Sequence, residues 1–418
     1  MTSFRFVHAA DLHLGSPFQG LALKDPAIAE IFVEASRKAF STLVTQAVEA
    51  KVDFFIVAGD VYDGDWKDHG TGLFFLGQLA RLARAGIPAF LIRGNHDAES
   101  LISRSLSLPD DVHLFSTRKA ETRELPELRV ALHGRSFAER EVAENIALAY
   151  PPARSGWLNI GILHTSLDGR PDHAPYAPCS VADLRAKGYD YWALGHVHAF
   201  ETVASDPFIV FPGNLQGRQI RETGAKGAVL VEVADGQVES VTPLIVDVAR
   251  WARLAVDVAG AVSLEDVVAR AEAAMRALAA EASERPLAVR LTLSGETGAH
   301  RRIAADREGF AAELQAAADR VAATLYIEKV VLDTREPHSG AAALPAIGLI
   351  DPAAVLDEAV TDPAFAAALA AALDEIGAKL PDDLREAVAA LREGEPAADF
   401  LREARDLALG RLVGGAAP

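Results

Sequence analysis

Between residues 4 and 198 the chain repeats one local arrangement: a short, mostly apolar run that stops directly at a polar motif. Phe4–Ala10 runs into Asp11-Leu12-His13, Phe54–Ala58 into Gly59-Asp60, and Ile87–Arg93 into Gly94-Asn95-His96-Asp97. Leu158–Leu163 then ends at His164, and Tyr191–Leu194 at Gly195-His196-Val197-His198. Runs this short read as buried strands, and none approaches the 18 or so continuous apolar residues of a membrane span. Helical patterns lie between them. Ala27–Ala50 places Ile28, Ile31, Phe32, Ala35, Ala39, Leu43 and Ala47 on one face, and Thr71–Ala85 reads the same way. Strand-helix alternation predicts a layered α/β domain, and the later consecutive runs Phe208–Phe211, Ala228–Val233 and Glu239–Val246 add antiparallel pairing. Whatever chemistry the motifs perform must happen where strand ends meet.

The pattern changes after residue 250. Trp251–Glu336 reads as strand, helix (Leu264–Ala282), strand (Leu287–Leu293), helix (Arg307–Val321) and strand (Leu325–Leu332), a small α+β capping domain. Pro337-His338-Ser339-Gly340 opens an Ala-rich linker, after which Pro363, Pro381 and Pro396 divide a helical C-terminal region into short helices. The expected division is 1–246, 250–336, a linker at 337–347 and helices over 348–418. Ala364–Leu373, nearly all Ala and Leu, reads first as a packed helix and second as a docking helix for a partner.

Composition narrows the surroundings. The single cysteine, Cys179, excludes an internal disulfide framework and fits a reducing compartment. The first residues lack the basic start and apolar core of a signal peptide, so a soluble, cytoplasmic protein without membrane contact is expected. The net charge of −18 is opposite to that of a generic nucleic-acid coat. Residues 351–418 contribute −8 of it. A polyanionic substrate therefore needs local basic contacts, bound metal, or a partner that supplies binding surface.

The motifs carry the chemistry. On an extended segment residues i and i+2 point the same way, so Asp11 with His13, and His196 with His198, can each face one ion together. Gly59 allows a tight turn beside Asp60, whose two oxygens can reach two metals roughly 3.5–4 Å apart. Asn95 offers a neutral oxygen ligand. His96 can reach a substrate phosphate, with Asp97 placed to hold its tautomer, while Asp63 reads as a supporting loop residue. Taken singly, each has an ordinary explanation: Asp60 as a helix N-cap, the Asn95 turn as an Asx-turn, His164 as a satisfied core histidine. Together Asp11, His13, Asp60, Asn95, His164, His196 and His198 form an oxygen/nitrogen set without thiolate, suited to two Mn²⁺, Fe²⁺ or Zn²⁺ ions. Two such ions bring +4 against −2 from Asp11 and Asp60, leaving room for a hydroxide and a phosphoryl group. His8, His113 and His133 read as structural; His69, His173, His300 and His338 read as loop residues.

The ordered set D-x-H, GD, GNHD, H, GH-x-H resembles the calcineurin-like metallophosphoesterase superfamily. The flanking stretches HAADLHLGSPFQGL, VDFFIVAGDVYDGDW, GIPAFLIRGNHD, YWALGHVH and FPGNLQGRQIRETGAKG resemble its DNA-repair exonuclease branch, the SbcD/YhaO type of bacterial nuclease subunit. The resemblance covers about residues 1–245. It implies a β-sandwich flanked by helices with two ions, Mn²⁺ foremost, at the strand ends. It also implies that Asp11, His13, Asp60 and His198 hold one ion, that Asp60 bridges, and that Asn95, His164 and His196 hold the other. His96 would then contact the phosphate and help the leaving oxygen depart.

On that footing the expected activity is metal-dependent DNA phosphodiester hydrolysis, as a 3′–5′ exonuclease with endonuclease activity beside it. The implied partners are DNA and a coiled-coil ABC-type ATPase, with a homodimer also allowed. The alternatives are a small-substrate phosphodiesterase or phosphatase, since the metal core does not set substrate size, and a scaffold or regulator of the ATPase. An intact ligand set speaks against the last. In Pro212–Gly227, Arg218, Arg221 and Lys226 against Glu222 leave a local charge of +2, from which Arg218 and Arg221 are read as substrate-binding. The competing reading is a solvated connection. Gln219 stands where close relatives would carry histidine.

Overall fold

The computed structural model describes residues 3–16, 26–63, 69–99, 108–168, 176–283, 285–337 and 352–379, and scattered positions from 388 to 409. The chain divides into two compact units, one of residues 1–252 with 285–288, the other of 253–284 with 289–418.

In the first unit the elements run β1 (Phe4–Ala9), α1 (Pro26–Glu49), β2 (Phe54–Ala58), α2 (His69–Arg84), β3 (Ala89–Ile92), α3 (Asn95–Glu99) and β4 (Val112–Leu114). Then come β5 (Glu121–Leu125), β6 (Val130–Gly134), β7 (Leu158–His164), α4 (Val181–Ala186), β8 (Tyr191–Gly195), β9 (Glu201–Ser205), β10 (Phe208–Phe211), β11 (Gly227–Ala234) and β12 (Gln237–Ile245). They form two six-stranded sheets, ordered β12-β11-β1-β2-β3-β4 and β5-β6-β7-β8-β10-β9. In the first, β1 through β4 are parallel while β11 pairs antiparallel with β1 and β12; in the second, β6, β7, β8 and β10 are parallel with antiparallel edges.

Burial explains the layering. Phe6, Phe54, Ile56 and Val231 of the first sheet pack against Ile160, Ile162, Tyr191 and Val210 of the second, an apolar core between two sheets. On the outer face of the first sheet Val7, Phe55 and Val57 meet Phe40, Leu43 and Val44 of α1 and Phe75 and Leu79 of α2. β2 is buried at every position, so it reads as a continuous apolar run without alternation. Parallel strands joined by crossovers have their C-terminal ends side by side. Those ends, on β1, β2, β3, β7 and β8, carry the five motifs.

The second unit takes all but the first residues of β13 (Arg250–Asp257) and β14 (Leu287–Glu296), with α5 (Leu264–Glu281), α6 (His300–Ala305), α7 (Arg307–Val321) and β15 (Leu325–Arg335), in sheet order β13-β14-β15. Bonds from Val258 to Ser294, Gly260 to Glu296 and Thr297 to Arg335 advance together along the strands, so these crossovers give a small parallel sheet. α8 (Pro352–Thr361) and α9 (Pro363–Gly377) follow. Pro363 sits in the first turn of α9, where its missing N–H costs nothing, and Asp362 caps the Ala364 amide. Two loop expectations fail. His69 begins α2, and His300 begins α6, buried against the Thr334 hydroxyl. His173, His338, Pro381, Pro396 and the 338–347 part of the expected linker lie outside the described residues. Among the described residues no helix is long and apolar enough to cross a membrane.

Candidate dinuclear metal centre

The loops leaving β1 and β2 run together. Asp11 N–H donates to Gly59 O, His13 N–H to Asp60 O, and Leu14 bridges to Tyr62. Both chains turn through left-handed backbone at their functional residues: φ is 51° at Asp11, 42° at His13 and 52° at Asp60, with 103° at His196 across the cleft. Non-glycine residues held there cost of order 1–3 kcal/mol each and gather at functional sites. The turns bring the polar side chains of five strand ends to one place.

All seven residues read as ligands lie in that place. Asp11, His13, Asp60, Asn95, His164 and His196 are buried, and His198 is partly exposed. Three overlapping groups have ligand atoms within 4.8 Å of one another: Asp11, His13 and His198; His13, Asp60 and His96; Asp11, Asp60 and His164. His13 Nε2 and His198 Nε2 are 3.2 Å apart, and His13 Nε2 is 4.0 Å from Asp60 Oδ2. On the other side His164 Nε2 is 2.9 Å from Asn95 Oδ1 and 3.5 Å from the same Asp60 oxygen. The His196 ring stands edge-on to that of His164 at 5.2 Å, while its backbone N–H donates to the Asp11 carboxylate.

The donor chemistry fits a pair of cations. His164 Nδ1–H donates to Ala58 O at 2.9 Å, which turns a lone pair on Nε2 toward the oxygens of Asn95 and Asp60. Three acceptors that converge need a positive charge between them. Burial works against a charged His164, yet the Asp60 carboxylate raises it to about 9, so the pocket favours positive charge at this point. His13 is the reverse: burial and the nearby Arg218 lower it to about 3, leaving the neutral imidazole that a metal ligand must be. Burial alone would raise Asp60, but the histidines around it hold it well below the usual carboxylate range. Asp11 is raised by burial. With no thiolate among them, these oxygens and imidazoles suit a first-row divalent ion.

Around this cluster the structure separates supports from exposed groups. The Asp97 carboxylate accepts from the backbone N–H of Val61, Tyr62 and Gly94, so it pins the Asp60 turn. The carboxylate beside His96 is Asp63, 3.4 Å from its Nδ1 and 3.6 Å from His13 Nδ1. His96 keeps 28% of its side chain exposed, whereas His13, Asp60 and His164 are almost fully buried. Arg218 is drawn into the centre, 3.4 Å from Asp63 and 3.3 Å from Glu222, whereas Arg221 is exposed and not brought in. Lys226 donates to His198 O at 2.7 Å. Sequence reading missed Glu222, which accepts His198 Nδ1–H at 2.9 Å; it figured there only as a charge in a basic loop. His8 bonds Tyr191 and Leu194 O, and His133 bonds Thr122 and Asn159, as structural histidines.

Two family descriptions match the chain, calcineurin-like phosphoesterase over residues 4–200 and the middle domain of metallophosphoesterase YhaO over 251–335. The uncharacterized metallophosphoesterase YhaO of Bacillus subtilis is 36% identical over 300 residues, 71% of this chain and 72% of that protein. The DNA double-strand break repair protein Mre11 of Methanopyrus kandleri is 29% identical over 212 residues, 46% of this chain and 44% of the relative. Its namesake from Sulfurisphaera tokodaii is 23% identical over 264 residues, 59% and 64% of the two chains. A fold of two facing sheets with buried Asp/His clusters at the strand ends defines a dimetal phosphoesterase. The chain belongs to the calcineurin-like metallophosphoesterases, and within them to the YhaO type with its middle domain.

Proposed function

We propose that the protein is a metal-dependent DNA phosphodiesterase acting in the cytoplasm, chiefly as a 3′–5′ exonuclease with endonuclease activity beside it. In this reading it is the nuclease subunit of a complex with a coiled-coil ABC-type ATPase. The observation that carries the hydrolytic part is one partly exposed imidazole, His96, standing beside buried groups that could hold metal. The DNA part is supported by the Mre11 relatives, named as DNA double-strand break repair proteins.

Asp11, His13, Asp60 and His198 would hold one ion, Asn95, His164 and His196 with Asp60 the other, Mn²⁺ in the first instance. Bound ions supply Lewis acidity and an ionised water at neutral pH. The chain's own part is positional. Asp63 lies beside Nδ1 of His96, so the ring can present its other nitrogen to a phosphoryl oxygen and pass a proton to the leaving oxygen. Asp97 keeps the Asp60 turn fixed during this transfer. A net charge of −18 gives no general affinity for DNA, so the ATPase surface would supply the grip. The proposed division of labour places catalysis in 1–246 and capping in 250–336, with a linker at 337–347 before the helical C-terminal region.

DNA labelled at the 3′ or the 5′ end, incubated with Mn²⁺ or EDTA beside an aryl phosphomonoester and an aryl phosphodiester, tests the reading. Mn²⁺-dependent loss of 3′ label is expected, abolished in His96→Ala with metal content retained. Fast phosphomonoester turnover with intact DNA would overturn it.

A further inference from the structure

The loop between β10 and β11 is tied to the metal centre by side chains rather than by strand geometry. Glu222, buried in this loop, accepts from His198 Nδ1–H at 2.9 Å through Oε1. Its Oε2 accepts from Asn214 Nδ2 and from the backbone N–H of Arg218, both at 2.8 Å. The Arg218 guanidinium has one end 3.3 Å from Glu222 Oε1 and the other 3.4 Å from Asp63 Oδ1, the carboxylate beside His13 and His96. The loop is braced behind: Gln216 Oε1 accepts from the Val248 and Ala249 amides, and Trp251 Nε1–H donates to Gly217 O.

We infer that Glu222 and Arg218 are positioning residues for the ion that Asp11, His13 and His198 would hold, with Arg218 acting as a bridge between two carboxylates instead of as a grip on the substrate. A carboxylate on Nδ1–H fixes the tautomer of His198, aims Nε2 into the centre and raises its basicity. Arg218 ties the position of that carboxylate to Asp63. A planar two-ended donor suits the bridge, and lysine, a single point charge, does not. The inference rests on the dimetal reading of the site and not on DNA as substrate.

The test is a Mn²⁺ titration of the chelator-stripped full-length chain by calorimetry, with bound metal counted by elemental analysis and the melting temperature of the metal-free protein recorded. Two ions are expected in the wild type. Glu222→Gln should weaken one of them about 10–100-fold and leave the other within a few-fold, with the metal-free melting temperature unchanged. Arg218→Gln should weaken the same ion, and Arg218→Lys should restore it only in part. An unchanged two-ion isotherm in Glu222→Gln and Arg218→Gln overturns the inference, all the more if Arg218→Gln raises only the KM for a phosphodiester. Equal loss of both ions together with a lowered melting temperature also overturns it, because that is the signature of general structural support. No DNA enters the measurement, so a failure to cleave DNA leaves it standing; a wild type that binds no ions refutes the metal reading itself.

Discussion

His164 and His198 aim Nε2 into the same centre by opposite means. His164 donates Nδ1–H to a backbone carbonyl, Ala58 O, at the end of a fully buried strand. His198 donates Nδ1–H to a side chain, Glu222, on a loop that Arg218 helps hold. One half of the centre is thus fixed by strand geometry and the close approach of two sheets, the other by replaceable charged groups. The first half should tolerate almost no change in backbone and little should tune it; the second should be graded by substitution.

Breaking what both halves share should have the largest effect. Asp60 lies within reach of His164 and of His13, so Asp60→Ala should remove both ions and lower hydrolysis beyond the roughly 10–100-fold of supporting residues. Elemental analysis and phosphodiester turnover check this; one ion retained at full affinity would show that the halves are independent. Next comes the backbone-held half. A Cβ on Gly195 would lie 2.0 Å from Ala58 O and 2.9 Å from His164 Nδ1. Gly195→Ala should therefore cost about 1–3 kcal/mol by thermal melting and weaken the ion on the His164 side, whereas Glu222→Gln leaves the metal-free melt alone. Equal melts for the two variants would erase the contrast.

Asp63→Asn should act more gently, since it keeps the shape beside His13 and His96 while removing the charge that faces Arg218. A fall in turnover of about tenfold is expected with both ions bound; a loss of metal would make Asp63 a ligand support of the Glu222 kind. The smallest effect concerns rigidity behind His164. Cys179 lies 3.4 Å from the Thr165 hydroxyl, and burial pushes its thiol up to about 11. Only the thiolate reacts, so the native chain at pH 8 should resist iodoacetamide and the urea-unfolded chain should not. Rapid native alkylation would show that this half opens easily.

The same contrast explains what the sequence revealed. Strands buried on both faces announce themselves as apolar runs, and their motifs follow at once, so β1, β2, β3, β7 and β8 were readable from residue order, as were the seven polar residues that their ends bring together. The edge strands β5, ETREL, and β9, ETVAS, were not: each has a solvent-facing side and no apolar run to mark it. Asp97 was legible as a member of the centre, but its bonds to the Val61 and Tyr62 amides were not, because those amides lie more than thirty positions back. Glu222 was illegible for a related reason. Its pairing with His198 spans 24 positions and depends on how a loop folds, which no periodicity records.

In the proposed centre, residues from both sheets hold two cations. Anomalous diffraction at the manganese edge from crystals soaked in Mn²⁺ tests it most directly. Two peaks roughly 3.5–4 Å apart, flanking the Asp60 carboxylate with His13 and His198 beside one and Asn95 and His164 beside the other, are predicted. A single peak away from Asp60, or none at saturating Mn²⁺, would contradict it.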